Sequence, residues 1–156
     1  MEQTRIGMYK LFGIFLVGST VLFFASNSVG SLSVEQAVQK RIETFKTSGV
    51  NTKKLSKLIR SGDIGASLDL VNFHVKWSEE MLHLFPTGSE ASTANGSDAS
   101  SDIWRDKKGF EKRVKEYNLR SIDLREAIKS KNIALINETY ESLVVSCKRC
   151  HRQFRN

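Results

Sequence analysis

Proline occurs once, cysteine twice, and no apolar run reaches the roughly 20 residues that a bilayer-spanning helix needs. With so few chain-breaking residues, long stretches are free to be helical, and an all-helical fold is expected. A length of 156 residues fits one compact domain, and no internal repeat divides it. Acids are in deficit: 24 lysines and arginines face 17 acidic residues, a net charge of +7. The cations are spread through helical segments without a nucleic-acid-binding motif, so nucleic acid is set aside as a partner. An acidic protein or an anionic membrane surface suits such a chain better, and a solvated basic face would explain the same charge.

The first thirty residues differ from everything after them. Arg5 and Lys10 precede an apolar run from Leu11 to Ala25, and small and polar residues follow to Ser31. A charged start, a short apolar run and a small-residue tail are the marks of a secretory signal peptide. Residues 1–30 are therefore expected to be a leader cleaved between Ala25 and Ser31, and residues 31–156 the working domain. An uncleaved leader would act as a membrane anchor; either way the domain is exported. The leader accounts for only one unit of the net charge, through Arg5 and Lys10 against Glu2.

Four later segments carry helical signals. Ser33 followed by Gln36 reads as a capping box, Val34, Val38, Ile42 and Phe45 form one apolar stripe, and Gly49 is placed to end the first helix. A basic connector with Lys53, Lys54, Lys57 and Arg60 follows. The second helix is expected from about Asp63 to Phe85, with Ile64, Leu68, Val71, Val75 and Leu82 inward and Pro86 ending it. Thr87 to Ser101 has the small, polar composition of a loop. A third helix from near Asp102 to Ser130 presents Ile103, Phe110, Val114, Tyr117, Leu124 and Ile128, and a fourth covers about Asn132 to Phe154. The pattern predicts an antiparallel up-down-up-down four-helix bundle.

Both cysteines lie in one pentapeptide, Cys147-Lys148-Arg149-Cys150-His151. That spacing is the attachment signature of c-type haem. Two thiols three residues apart add to the two vinyl groups of one haem, and the adjacent imidazole is carried beneath the iron. The expected cofactor is one covalent haem c, held by Cys147 and Cys150, with His151 as the metal ligand. A disulfide and a zinc site are the alternatives. A redox-active Cys-x-x-Cys belongs near a strand-to-helix junction, and zinc would need a fourth ligand from His74, His83 or an acid. Two Asn-x-Ser/Thr triplets, at Asn95 and Asn137, matter only in a eukaryotic secretory pathway.

The chain resembles the class II cytochromes c, whose high-spin branch is cytochrome c′. Three stretches carry the likeness: the terminal haem motif with Arg155 four residues after His151, Asp102-Ile103-Trp104-Arg105-Asp106 followed by Phe110, and Val38 to Phe45 with Arg41 between. The resemblance implies that Arg41 lies near a haem propionate and that Phe45 covers the open face of the iron. Low-spin members place a ligating methionine at the latter position. Phenylalanine has no lone pair to donate, so a five-coordinate, high-spin iron is expected. Met81, the only methionine outside the leader, is the alternative sixth ligand together with His74 and His83. The likeness also implies a bacterial periplasmic location and pairing of two copies through their first two helices.

Trp77, Trp104 and Tyr117 read as core or haem-packing aromatics, and Arg155 either tunes the face of His151 or is solvated. Three function classes follow from a c-type haem in such a bundle: electron carriage to an acidic redox partner, binding of nitric oxide or carbon monoxide, and enzymatic chemistry. Phe45 supplies no polar group to assist bound oxygen, so an enzyme is not expected. Electron transfer is the expected function, with gas binding or detoxification as the alternative.

Overall fold

The computed structural model describes residues 32–92 and 94–156. The expected leader, with Met1 and Met8, lies outside the described residues. Helix α1 runs from Val34 to Ser61, and its capping box forms as expected: the Gln36 amide donates to Ser33 Oγ at 3.2 Å, and the Ser33 amide donates to Gln36 Oε1 at 2.9 Å. Gly49 does not end it. The helix continues through the supposed basic connector to Gly62, whose φ of 73° closes it in the left-handed conformation. Glycine inside a helix costs about 1 kcal/mol. Continuing buries Leu55 and Ile59, each worth about 1.5–3 kcal/mol. The apolar gain wins, and Lys53, Lys54 and Lys57 stay on the exposed side.

Helix α2 spans Ser67–Glu80 and tightens into a 3-10 turn over Met81–Leu84, ahead of Pro86. The tightening corrects one expected core residue. At three residues per turn Met81 and Leu84 share the buried side, and Leu82 is left 41% exposed. Helix α3 is a single turn, Asp102–Arg105, and α4 runs from Lys107 to Ser130. The expected third helix is thus broken at Asp106, whose carboxylate accepts from the Gly109 amide at 2.9 Å and restarts the helix. That carboxylate lies where a Cβ on residue 109 would stand, so a larger residue there would push the Asp106 side chain out of its capping position. All six apolar residues expected to face inward from this segment are buried.

Lys131, at φ 56°, turns the chain, and Asn132 caps α5, Ile133–Phe154, by accepting from the Leu135 amide at 3.1 Å. Consecutive long helices pack on one another, α1 on α2, α2 on α4 and α4 on α5, and α5 returns to α1. The result is an antiparallel four-helix bundle around one core, which includes Leu55, Val71, Leu124, Ile136 and Leu143. Residues 85–101 form the long loop. Its end pairs with the chain terminus through an Ala99–Arg155 bridge, with the Ser100 amide donating to the Phe154 carbonyl at 3.0 Å.

Candidate functional site

Val144, Cys147, His151 and Phe154 fall on one face of α5, because steps of three and four residues return to the same side of a helix. That face, together with α1, α2, α4 and the loop, encloses a cavity of about 610 Å³. Cys147, Cys150 and His151 all line it. Both thiols are free and half-buried. Burial pushes the Cys147 thiol up; burial and the neighbouring Cys147 push Cys150 up to about 11, against the pull of Arg113. Both are therefore neutral thiols at pH 7. Burial, and then the nearby Arg155 charge, lower the His151 imidazole below its ordinary value, so its lone pair is free for a metal.

Phe45 of α1 faces this arrangement. Its ring lies 6.3 Å from the His151 ring, centroid to centroid, and meets Trp77 edge-on at 5.1 Å. Of the three alternative iron ligands, only Met81 lines the cavity, as a buried member of the core cluster. His83 is exposed and His74 is engaged elsewhere, so neither belongs to the lining. The zinc alternative finds no support: among the described residues no three histidine, cysteine or acidic side chains converge on a point.

Arg41 does more than the resemblance implied. It is 2% exposed, and its guanidinium lies 4.6 Å above the Phe85 ring. Nη1 donates to the Leu84 carbonyl at 3.1 Å and to Ser89 Oγ at 2.7 Å; Nη2 donates to the Ser89 carbonyl and to Ser97 Oγ at 2.7 Å. Three terminal N–H groups are thus spent on the loop and one on the end of the 3-10 turn, leaving Nε–H uncommitted. Every partner is neutral, so the buried positive charge meets no carboxylate in its hydrogen bonds. Arg155 is fixed too: its Nη2 pairs with Asp98 at 2.7 Å. Neither Ser89 nor Asp98 carried a sequence signal beyond loop composition, and Ser97 carried only that of the Asn95 triplet. Ser48 and Tyr117 add hydroxyls to the cavity wall, and the sequence had marked only Tyr117, as a packing aromatic.

A sequence model of the cytochrome C′ family matches residues 36–155. The chain belongs to the cytochrome c′ family. No curated protein matches the sequence. Solved cytochromes c′ share the fold. The one from Thermochromatium tepidum superposes with a TM-score of 0.75 at 16% identity, covering 81% of this chain and 98% of its own. A second, described as having a ligand-controlled dimer dissociation, gives 0.75 at 16%, with 81% and 98% covered. A nitric oxide complex of a cytochrome c prime variant from Alcaligenes xylosoxidans gives 0.70 at 19%, with 80% and 96% covered.

Cytochromes c′ carry one covalent haem c, and the residues present fit it. Two neutral thiols and one neutral imidazole stand on a single helix face at the spacing that attachment requires. The opposite wall is aromatic, and Trp77 Nε1 is buried there without a partner. Arg41 is a buried cation on the wall, and it would act on an anionic propionate chiefly through its charge, because its terminal donors are held by Leu84, Ser89 and Ser97. Cys147 and Cys150 would carry the thioether bonds, and His151 would bind the iron.

Proposed function

We propose that this protein is an exported, periplasmic monohaem electron carrier whose iron is five-coordinate and high-spin, with the open face guarded by Phe45. When bound, the haem supplies an iron that exchanges one electron and accepts a small ligand on its free side. The observation that carries the reading is the placement of Phe45 against His151 across the cavity, at 6.3 Å between ring centroids. A side chain with no lone pair occupies the side from which a sixth ligand would come. Lys46 and Lys53 of α1 and Lys148 of α5 line the cavity, are exposed and have no acidic partner among the described residues. They suit an acidic redox partner approaching the seam between α1 and α5.

Gas binding is the second reading, supported by the relative whose structure is a nitric oxide complex. Enzymatic turnover is not part of the proposal, because Phe45 and Trp77 offer the open face no acid or base. A homodimer that responds to ligand, as named for one relative, extends the gas-binding reading. The test is the visible spectrum of the reduced protein with and without carbon monoxide. A broad band and rapid uptake are expected. Sharp, split bands with no uptake would show a sixth ligand, with Met81 as its source. Phe45→Met should move the wild-type spectrum toward low spin and suppress uptake, and Phe45→Ala should speed it.

A further inference from the structure

Three helices bring a polar cluster to the wall of the cavity. His74 of α2 is 0% exposed, and its Nδ1 lies 2.6 Å from the Tyr117 hydroxyl of α4. Ser48 of α1 stands at 3.4 Å from the same nitrogen and 3.5 Å from the same hydroxyl. Ser48 and Tyr117 line the cavity, and His74 meets both of them without lining it. The Nε2 of His74 is buried with no partner. Two apolar side chains of the same shape would remove that unsatisfied nitrogen, so the pair does not owe its presence to stability.

Burial holds His74 down to about 4 and raises the Tyr117 hydroxyl, so the phenol and the imidazole are both neutral near pH 7. A short bond between them then runs from the phenol O–H to Nδ1 as acceptor. Loss of one electron makes a phenol strongly acidic, and a buried phenol can be oxidised only if a base takes the proton at the same moment. His74 is that base, already in place.

We propose that Tyr117 is a redox-active tyrosine and that His74 is its proton acceptor, giving the cavity a second one-electron site beside the haem. The proposal rests on the reading that haem occupies this cavity. In the step, Tyr117 gives one electron to an oxidant in the cavity it lines. Its O–H bond breaks, an N–H bond forms at His74 Nδ1, and a neutral tyrosyl radical remains beside an imidazolium. The oxidant class is a peroxide. One hydrogen peroxide takes two such electrons, one from Tyr117 in each of two protein molecules, and two protons that leave His74 through the Ser48 hydroxyl to the cavity, so two tyrosine hydroxyls and one hydrogen peroxide become two tyrosyl radicals and two waters.

The experiment mixes ferric holoprotein with one equivalent of hydrogen peroxide and traps the product by rapid freezing for electron paramagnetic resonance. Wild type should show a tyrosyl signal, shifted in pattern when the protein is made with ring-deuterated tyrosine. Tyr117→Phe should abolish it, while Tyr140→Phe, whose hydroxyl donates to the Thr52 carbonyl and bonds none of Ser48, His74 or Tyr117, should keep it. His74→Gln should cut the yield and remove the slowing seen in heavy water; Ser48→Ala is the milder variant if His74→Gln fails to fold. A tyrosyl signal surviving in Tyr117→Phe, or no signal in wild type that carries its haem, overturns the proposal. Failure of the haem reading itself would register separately, as a bare-chain mass and no haem absorption before peroxide is added.

Discussion

The α5 face and the 85–101 loop bound the same cavity but are held by opposite means. On α5, local periodicity does the work: Cys147, Cys150 and His151 are fixed relative to one another by helix geometry and need no distant partner. The loop has no periodicity. Turn bonds among Ser92, Asn95 and Ser97 shape it locally, but it is fixed to the bundle from outside, by Arg41 reaching from α1 to Ser89 and Ser97, and by the terminal residues pairing with Asp98 and Ser100. Chemistry sits on the self-sufficient element, and the wall around it is borrowed from long-range contacts. Damage to the first should therefore abolish the cofactor, and damage to the second should cost stability while leaving attachment intact.

The largest effect is expected on α5. His151→Ala removes the proximal ligand, and Cys150→Ser leaves at most one thioether bond, without disturbing the apolar stripe that packs the helix. Denaturing mass spectrometry of protein made with a haem-attachment system should show one covalent haem and no free thiol in wild type. Cys147→Ser,Cys150→Ser should have the mass of the bare chain. A wild-type mass equal to the bare chain would overturn the covalent haem.

On the loop side, Arg41→Ala strands four acceptors at once and deletes the stem that α1 buries. A loss of about 2–4 kcal/mol in unfolding free energy is expected, with haem still attached. Arg41→Lys should recover only part of it, because one ammonium cannot reproduce the two-pronged geometry. Denaturant titration reads both. Equal stability of wild type and Arg41→Ala would show that the loop does not depend on this clamp.

What the sequence disclosed divides along the same line. The bundle, the capping box at Ser33, the inward face of α4 and the attachment motif were all legible, because each is written in residues within a few positions of one another. Gly49 misled because a local propensity of about 1 kcal/mol was set against the burial of Leu55 and Ile59, which only the fold reveals. Leu82 misled because an α period was carried into a 3-10 turn. The Arg41 clamp was hidden more deeply: its partners lie 43 to 56 residues away, at the end of the 3-10 turn and in a segment whose composition says only that it is a loop. The meeting of Ser48, His74 and Tyr117 from three helices had no sequence signature at all.

His74 supplies a pH test of comparable but slightly smaller size. Its folded value near 4 lies below the unfolded 6.5, so the unfolded chain binds the extra proton first as pH falls. Stability is unaffected by this group above about pH 6.5, declines as pH drops from there, and has lost the full amount below about 4, on the order of 3 kcal/mol. His74→Phe should flatten that part of the curve relative to wild type, read as the difference in unfolding free energy between pH 7 and pH 4. Parallel curves for the two proteins would mean that His74 is not held neutral by burial.

The smallest effect is expected at the other anchor of the loop. Asp98 and Arg155 form a 2.7 Å ion pair, but both side chains are more than half exposed. Exposed pairs contribute below about 1 kcal/mol, because water screens the charges and two flexible side chains lose freedom in meeting. The main-chain bonds beside it, from the Ser100 amide to the Phe154 carbonyl and from the Asn156 amide to the Asp98 carbonyl, do not need the carboxylate. Asp98→Asn should therefore lower stability by less than about 1 kcal/mol, and the difference should shrink toward zero in molar salt. A loss as large as that of Arg41→Ala would mean that the terminus, and not the buried guanidinium, is what holds the loop against the cavity.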